Sequence, residues 1–482
     1  MTVRVLQSLI VIKPINHRFY LMNFRTLHLL ISYYLFLALF FGCQTTSKIA
    51  DSQPVKEEKK GSPSLVKMVE KSELFSANIT GFVLYDPKTD STLYSLNGNK
   101  YFTPASNTKL FTFYAGLKTL PDTLRALEYV VQGDSLIFWG TADPSFLHRE
   151  YGSDTVYEFL KNRPEDLYYS DSHFQDKPLG AGWSWDDYNS YYSAEKSPFP
   201  IYGNMVEFTV EHIEINRIKK NRGEFMITPK QFTQNLEEKA GTDGELLLRD
   251  RTGNQFEYRP VADTTTYEVL KPFHYTSELV TDLLADTLGR TVKNIKMEKP
   301  SDTRVLYSIP ADTAYKRMLQ PSDNFIAEQL LLMIASERGE PMNTEKIIEY
   351  IIDNYLSDLP DQPQWADGSG LSRYNMFTPR TIVQLLEKID EEFDSDEKMF
   401  ELFPAGGETG TIESWYAHRE GGAPYVYAKT GTLMNNHCLS GFIITKSGRK
   451  LLFSFMNNHY VTPSAVVKEE MEKVLWHIYS SF

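Results

Sequence analysis

Three strand-like stretches follow one another near the C-terminus, at 425–429, 438–445 and 450–456, and a turn at Lys446-Ser447-Gly448-Arg449 joins the last two. Connections this short make antiparallel neighbours. A matching hairpin lies near the other end of the chain, at 79–86 and 91–96, about a turn at Pro87-Lys88. The two sets can share one core if both ends combine into a single antiparallel sheet with helices on its faces. Everything between then becomes an interruption. Helical patterning supports this division, with a short helix at 64–74 and others at 314–319, 325–336, 344–355, 378–389 and 464–479. We therefore expect an α+β body from 63–120 and 312–482. A mostly β inserted domain would occupy 121–311, opening at Pro121-Asp122. Within it lie strands at 129–131 and 136–139 about Gly133-Asp134, a loop-rich tract at 178–204, a helix at 277–288 and a strand at 304–308. A length of 482 residues suits two or three domains.

Residues 1–43 read as an export signal. The run 29–42 is apolar, has the length of a signal h-region, and ends in Gly42-Cys43 before polar Gln44-Thr45-Thr46-Ser47. Translation from Met22 would give a more ordinary n-region. A small residue directly before Cys at that point resembles the lipobox of bacterial lipoproteins. Cys43 is thus a candidate lipidation site, with 44–62 as a flexible tether and a protein held on a membrane on its periplasmic side. Of the two cysteines only Cys438 would then remain, so no intrachain disulfide is expected. The net charge of −13, without a basic stripe, argues against nucleic acid as a partner.

The chemistry begins at Pro104-Ala105-Ser106-Asn107-Thr108-Lys109. Ser106 and Lys109 stand one helical turn apart on one face. A serine hydroxyl is a weak nucleophile near neutral pH and needs a base within hydrogen-bond reach, which a lysine of lowered pKa can supply. S-x-x-K spacing alone says little, since it recurs at Ser64/Lys67, Ser193/Lys196, Ser395/Lys398 and Ser447/Lys450. Order separates the first pair from the rest. Ser106-x-x-Lys109 is followed by Ser322-Asp323-Asn324, before a helical run, and then by Lys429-Thr430-Gly431-Thr432, which continues an apolar strand. Glycine there lets another backbone or a ligand approach closely. Lys446-Ser447-Gly448 lies in a hairpin turn, and Tyr202-Gly203-Asn204 lies in the interruption.

This ordered triple is the set used by penicillin-binding proteins and serine β-lactamases. The chain resembles the serine D-alanyl-D-alanine carboxypeptidase/endopeptidase family, low-molecular-mass penicillin-binding proteins whose large insertion splits the catalytic domain. Gly140-Thr141-Ala142-Asp143-Pro144, Asp171-Ser172-His173-Phe174, Gly182-Trp183-Ser184-Trp185-Asp186-Asp187 and Asp367-Gly368-Ser369-Gly370-Leu371-Ser372-Arg373 look like further family blocks. The run 197–204 departs from the family's usual one, and the insertion is short.

The resemblance implies a penicillin-binding-protein-like fold and an acyl-enzyme reaction on peptidoglycan stem peptides, with β-lactams as covalent inhibitors. Ser106 would be the nucleophile and Lys109 its base. Ser322 would relay the proton to the leaving amine, and Asn324 would hold Lys109 and the substrate amide. Lys429 would add positive charge. The oxyanion would lie between the N–H groups of Ser106 and Thr432, beside Gly431, and Thr430 and Thr432 would read the substrate's terminal carboxylate. The tryptophans and aspartates of 183–187 and His173 are expected to serve folding, the insertion no chemistry, and Cys438 packing. No metal-ligand spacing appears, and no cofactor is required. Two other functions stay open at this point, a β-lactamase and a non-catalytic cell-wall binding or sensing protein.

If Cys43 carries the anchor, Cys43→Ser is expected to move the protein from the membrane to the soluble fraction or to block signal cleavage. Unchanged fractionation and mass would show that it does not.

Overall fold

The computed structural model of the chain describes residues 61–211, 214–215, 218–219, 224–239, 247–259 and 267–482. The export signal, Cys43 and nearly all of the expected tether lie outside the described residues. Among the described residues no helix is long and apolar enough to cross a membrane.

Both ends of the described chain build one five-stranded antiparallel sheet. Its order is Val426–Leu433, Asn436–Ile444, Lys450–Asn458, Ile79–Asp86, Ser91–Leu96. The strand expected at 425–429 runs on to Leu433, which takes all of Lys429-Thr430-Gly431-Thr432 into the sheet, on its open edge. Side chains of successive strand residues point to opposite faces, and here each face has its own core. Cys438, Phe442, Leu452 and Met456 pack with the helices Lys109–Thr119, Asn324–Glu337 and Pro379–Asp390. Leu439, Ile443, Phe453 and Phe455 pack with Pro63–Glu70 and Ser464–Ser481. The helix Asn324–Glu337 is buried almost all round, as a helix apolar on every side should be. The short helix expected at 64–74 is two helices, Pro63–Glu70 and Glu73–Ala77. Ser62 caps the first and Ser72 the second, each hydroxyl accepting a backbone N–H.

A second five-stranded sheet comes from the middle of the chain, in the order Val292–Asn294, Asp166–Tyr169, Ser135–Gly140, Thr123–Gln132, Arg304–Pro310. Two three-stranded sheets lie beside it in sequence. Their apolar residues form a separate cluster that includes Leu127, Phe138, Tyr169, Phe199, Phe208, Phe256 and Leu284. The helix Ser277–Leu288 closes this core, with Thr276 capping its start and Gly289, at φ 63°, ending it in the left-handed conformation.

Polar contacts fasten this part to the helices of the first. Gln329 accepts from the Ser197 N–H at 3.1 Å and donates to Ala142 O at 3.0 Å and Ser197 O at 2.8 Å. Arg125 pairs with Glu337 at 2.6 Å. Trp183 donates its indole N–H to Asp367 at 2.8 Å. Trp183 therefore does more than fold its own segment, since its partner belongs to the 367–373 loop beside the Ser106 helix.

On the final helix, Leu475 is fully buried whereas Val466 is 43% exposed. Leu475→Ala is expected to cost about 2–5 kcal/mol through lost burial and the cavity left behind. Val466→Ala should stay within about 0.5 kcal/mol. Denaturant unfolding of the two variants checks the pair.

Candidate active site

Ser106 sits in a 3-10 turn, Ala105–Thr108, that runs directly into the helix Lys109–Thr119. The turn is gripped from two sides by backbone that lacks side chains. A Cβ on Gly370 would come within 2.0 Å of Ala105 O, and one on Gly431 within 2.3 Å of Pro104 O and 3.0 Å of the Ser106 nitrogen. Glycine is the residue that allows such approaches. Asn107, which the sequence reading passed over, locks the turn to the sheet. Its amide donates to Lys429 O at 2.7 Å, and its oxygen accepts from Ser440 Oγ at 2.7 Å.

Lys109 is fully buried. Its Nζ lies 3.0 Å from Ser106 Oγ, 2.6 Å from Asn324 Oδ1 and 2.6 Å from Ser369 O. A neutral amine has two hydrogens and one lone pair. The two carbonyl oxygens can only accept, so they take the hydrogens, and the lone pair is left to face the Ser106 hydroxyl. Burial lowers the Lys109 pKa to about 8, against the pull of Asp367, Asp323 and Glu328.

Lys429, also fully buried, donates to Ser322 Oγ at 2.8 Å and Thr430 O at 2.9 Å. Burial first, and the Lys109 charge second, push its pKa well down. Ser322 has φ 67°, a left-handed conformation that costs a non-glycine residue of order 1–3 kcal/mol. It does not cap the following helix. Asp323 does, accepting from the Ile326 N–H at 3.1 Å. Asn324 splits its amide between Lys109 and Tyr192 O, the latter at 2.9 Å. A backbone carbonyl of the insertion thus anchors a residue that touches Lys109.

Behind Lys109, the 367–373 loop is organised by one carboxylate. Asp367 accepts from the N–H groups of Gly370 (2.9 Å) and Ser372 (2.7 Å), from Asn375 Nδ2 (2.6 Å) and from Trp183. Glu328 accepts from the Ser369 N–H at 2.8 Å, while its other oxygen finds no partner among the described residues. Burial, and then the Asp367 charge, raise its pKa to about 7. Through Ser369 O this pair of acids sets where Lys109 points.

The two threonines on the strand project to the sheet face opposite Lys429. Thr430 Oγ1 lies 2.7 Å from Thr411 Oγ1, and Thr432 Oγ1 lies 2.8 Å from His437 Nδ1. Neither partner was foreseen. Ser106, Ser322, Asn324, Gly370 and Thr432 line one cavity of about 720 Å³, with Asp186, Asp187 and Tyr192 of the insertion on its wall.

Residues set aside in the sequence lie elsewhere. Ser395 caps the helix Asp396–Phe400, and Lys196 Nζ is taken by Asp176 and Thr344. Asn204 donates to Glu195 O and Ser197 Oγ within the insertion. His173 Nε2 bonds Gly140 O at 2.7 Å. Cys438 is fully buried, and burial pushes its thiol up to about 12.

The sequence pattern of the D-Ala-D-Ala carboxypeptidase 3 (S13) family matches residues 62–477. The chain is 26% identical over 431 residues to the D-alanyl-D-alanine carboxypeptidase DacB of Haemophilus influenzae, covering 79% of this chain and 86% of that protein. It is 24% identical over 431 residues to a D-alanyl-D-alanine carboxypeptidase of an Actinomadura species, covering 81% and 80%. The fold matches the crystal structure of penicillin binding protein 4 from Haemophilus influenzae with a TM-score of 0.69 at 21% identity, over 86% of this chain and 99% of that one.

Since Lys109 can take a proton only when neutral, acylation of Ser106 by a labelled penicillin is expected to rise about tenfold per pH unit below pH ~8 and to level off above it. Stopped-time labelling between pH 5.5 and 9.5 checks the limb.

Proposed function

The chain belongs to the D-Ala-D-Ala carboxypeptidase 3 (S13) family, and on that premise we propose that it hydrolyses the terminal D-Ala-D-Ala bond of peptidoglycan stem peptides by way of an acyl-enzyme on Ser106. The observation that carries this assignment is the placement of Lys109 Nζ, with two oxygens to hold its hydrogens and Ser106 Oγ at 3.0 Å.

In this reading Ser106 Oγ attacks the carbonyl carbon of the penultimate D-Ala while its proton passes to Lys109. The oxyanion forms between the N–H groups of Ser106 and Thr432. One such donor is typically worth about 10²–10³ in rate. The C–N bond then breaks, and the leaving amine takes a proton through Ser322, which Lys429 holds. Water attacks the ester by the same route in reverse and frees Ser106. Asn324 orients Lys109 and receives the substrate amide.

Thr430 and Thr432 read the carboxylate that follows the scissile bond, in the field of Lys429. A terminal D-Ala presents that carboxylate, and so does the D-centre of a diaminopimelate in a cross-link, so the same site serves a D,D-endopeptidase reaction. β-Lactams acylate Ser106 and block it. The protein works outside the cytoplasm, facing the periplasm, with Cys43 as its lipid anchor.

An acyl-D-Ala-D-Ala peptide is expected to be cleaved with kcat/KM at least about tenfold above that of its C-terminal amide, because the amide leaves carboxylate-binding donors unpaired. Ser106→Ala should abolish both cleavage and penicillin labelling while leaving the melting temperature unchanged. Digestion of purified muropeptides, read by mass spectrometry, tests the assignment. If intact pentapeptides and cross-links survive the wild-type enzyme, it is wrong.

A further inference from the structure

Thr432 and His437 face each other across the hairpin formed by Val426–Leu433 and Asn436–Ile444, in direct register. Thr432 is exposed to the groove, while His437 beneath it is fully buried. Its Nδ1 lies 2.8 Å from Thr432 Oγ1, and its Nε2 has no hydrogen-bond partner among the described residues. On its other side in the sheet stands Asn457, whose side-chain oxygen is occupied by the Thr80 hydroxyl at 2.9 Å.

A hydroxyl owns one proton. A hydroxyl paired with another hydroxyl, as Thr430 is with Thr411, always leaves one proton of the two free for a third group. A hydroxyl paired with an imidazole does so in only one tautomer. If the ring proton sat on Nε2, Thr432 would give its only hydrogen to Nδ1 and present bare lone pairs to the groove. It would then repel a carboxylate. That tautomer would also bury an N–H with no acceptor. With the ring proton on Nδ1, the ring donates to Thr432 and the buried Nε2 is a lone pair, so no N–H is buried without an acceptor.

We infer that His437 carries its proton on Nδ1 and donates it to Thr432, so that the Thr432 hydroxyl is turned to donate to the substrate's terminal carboxylate. His437 is thus a positioning residue for substrate selection, and this rests on the carboxylate-reading role proposed for Thr432. Burial, with the charges of Lys468 and Lys429, holds the ring's pKa down to about 3, so it stays neutral wherever the enzyme works. The orientation of Thr432 is then a fixed property of the fold.

The test compares kcat/KM for an acyl-D-Ala-D-Ala peptide and its C-terminal amide in four proteins. These are the wild type, His437→Phe, His437→Asn and Thr432→Val. His437→Phe is expected to lower the acid-over-amide preference about tenfold, mainly through KM for the acid. His437→Asn, whose amide nitrogen can take the place of Nδ1, should restore most of it. A purely packing role for the ring predicts no such rescue. If His437→Phe keeps the preference while Thr432→Val loses it, the inference is overturned and the reading of Thr432 stands. If Thr432→Val also keeps it, that reading falls and the inference with it. Should His437→Phe not fold, nitrogen-15 histidine spectra of the wild type give the tautomer directly, and a proton on Nε2 overturns the proposal.

Discussion

Two lysine amines enclosed away from water are the constraint on which this structure turns. A single buried ammonium is costly, and two near each other more so. The fold resolves this by giving the pair unequal surroundings. Lys109 has acids behind it, Asp367, Asp323 and Glu328, which draw its pKa back up to about 8. Lys429 has hydroxyl and carbonyl oxygens about its amine, and burial and the Lys109 charge hold its pKa down. Each amine is tied to one serine, Lys109 to Ser106 and Lys429 to Ser322. The two hydroxyls are therefore each held by a nitrogen.

What keeps those amines in place comes largely from outside their own motifs. Ser369 O fixes Lys109, and Ser369 belongs to a loop wound around Asp367. Asp367 is also gripped by Trp183, from the middle of the chain, and Asn324 is gripped there through Tyr192 O. The inserted segment is therefore part of the scaffold that orients Lys109. A chain without the inserted segment would leave Asp367 without its indole donor and the Asn324 Nδ2 without the Tyr192 carbonyl that accepts from it.

Regular elements with a clear hydrophobic period are the most legible in the sequence. The hairpin Ile79–Asp86/Ser91–Leu96 and the helices Ser277–Leu288 and Thr344–Tyr355 follow from alternation and helical period, and their bounds agree with the expectation. The strand expected at 425–429, with Lys429-Thr430-Gly431-Thr432 read as its continuation, extends to Leu433. In space, glycine is needed there so that Pro104 O and the Ser106 nitrogen can approach. Asn107 and Ser369 lie inside quoted motifs, but their own parts are not legible there, and nothing in the sequence around Thr411 and His437 marks them. Ser369 acts through its carbonyl, which any residue has. Thr411 and His437 meet the strand from a distant loop and across a hairpin register, and periodicity fixes no register between strands. The strain at Ser322 was equally hidden, since a serine at φ 67° reads like any other serine.

The sheet order carries one more consequence, for the time at which the enzyme becomes active. The strand Ile79–Asp86 lies between Ser91–Leu96 and Lys450–Asn458, one of the last strands to emerge. Pairings this remote in sequence form late, because the closure entropy of the loop must be met before they give anything back. The middle of the chain has its own sheets and core and can collapse first. Lys429 reaches Ser322, and its carbonyl reaches Asn107, only when the final hairpin docks. A chain still being synthesised therefore carries Ser106 and Lys109 without the second amine or its strand edge, and the site is completed only as the last step of folding.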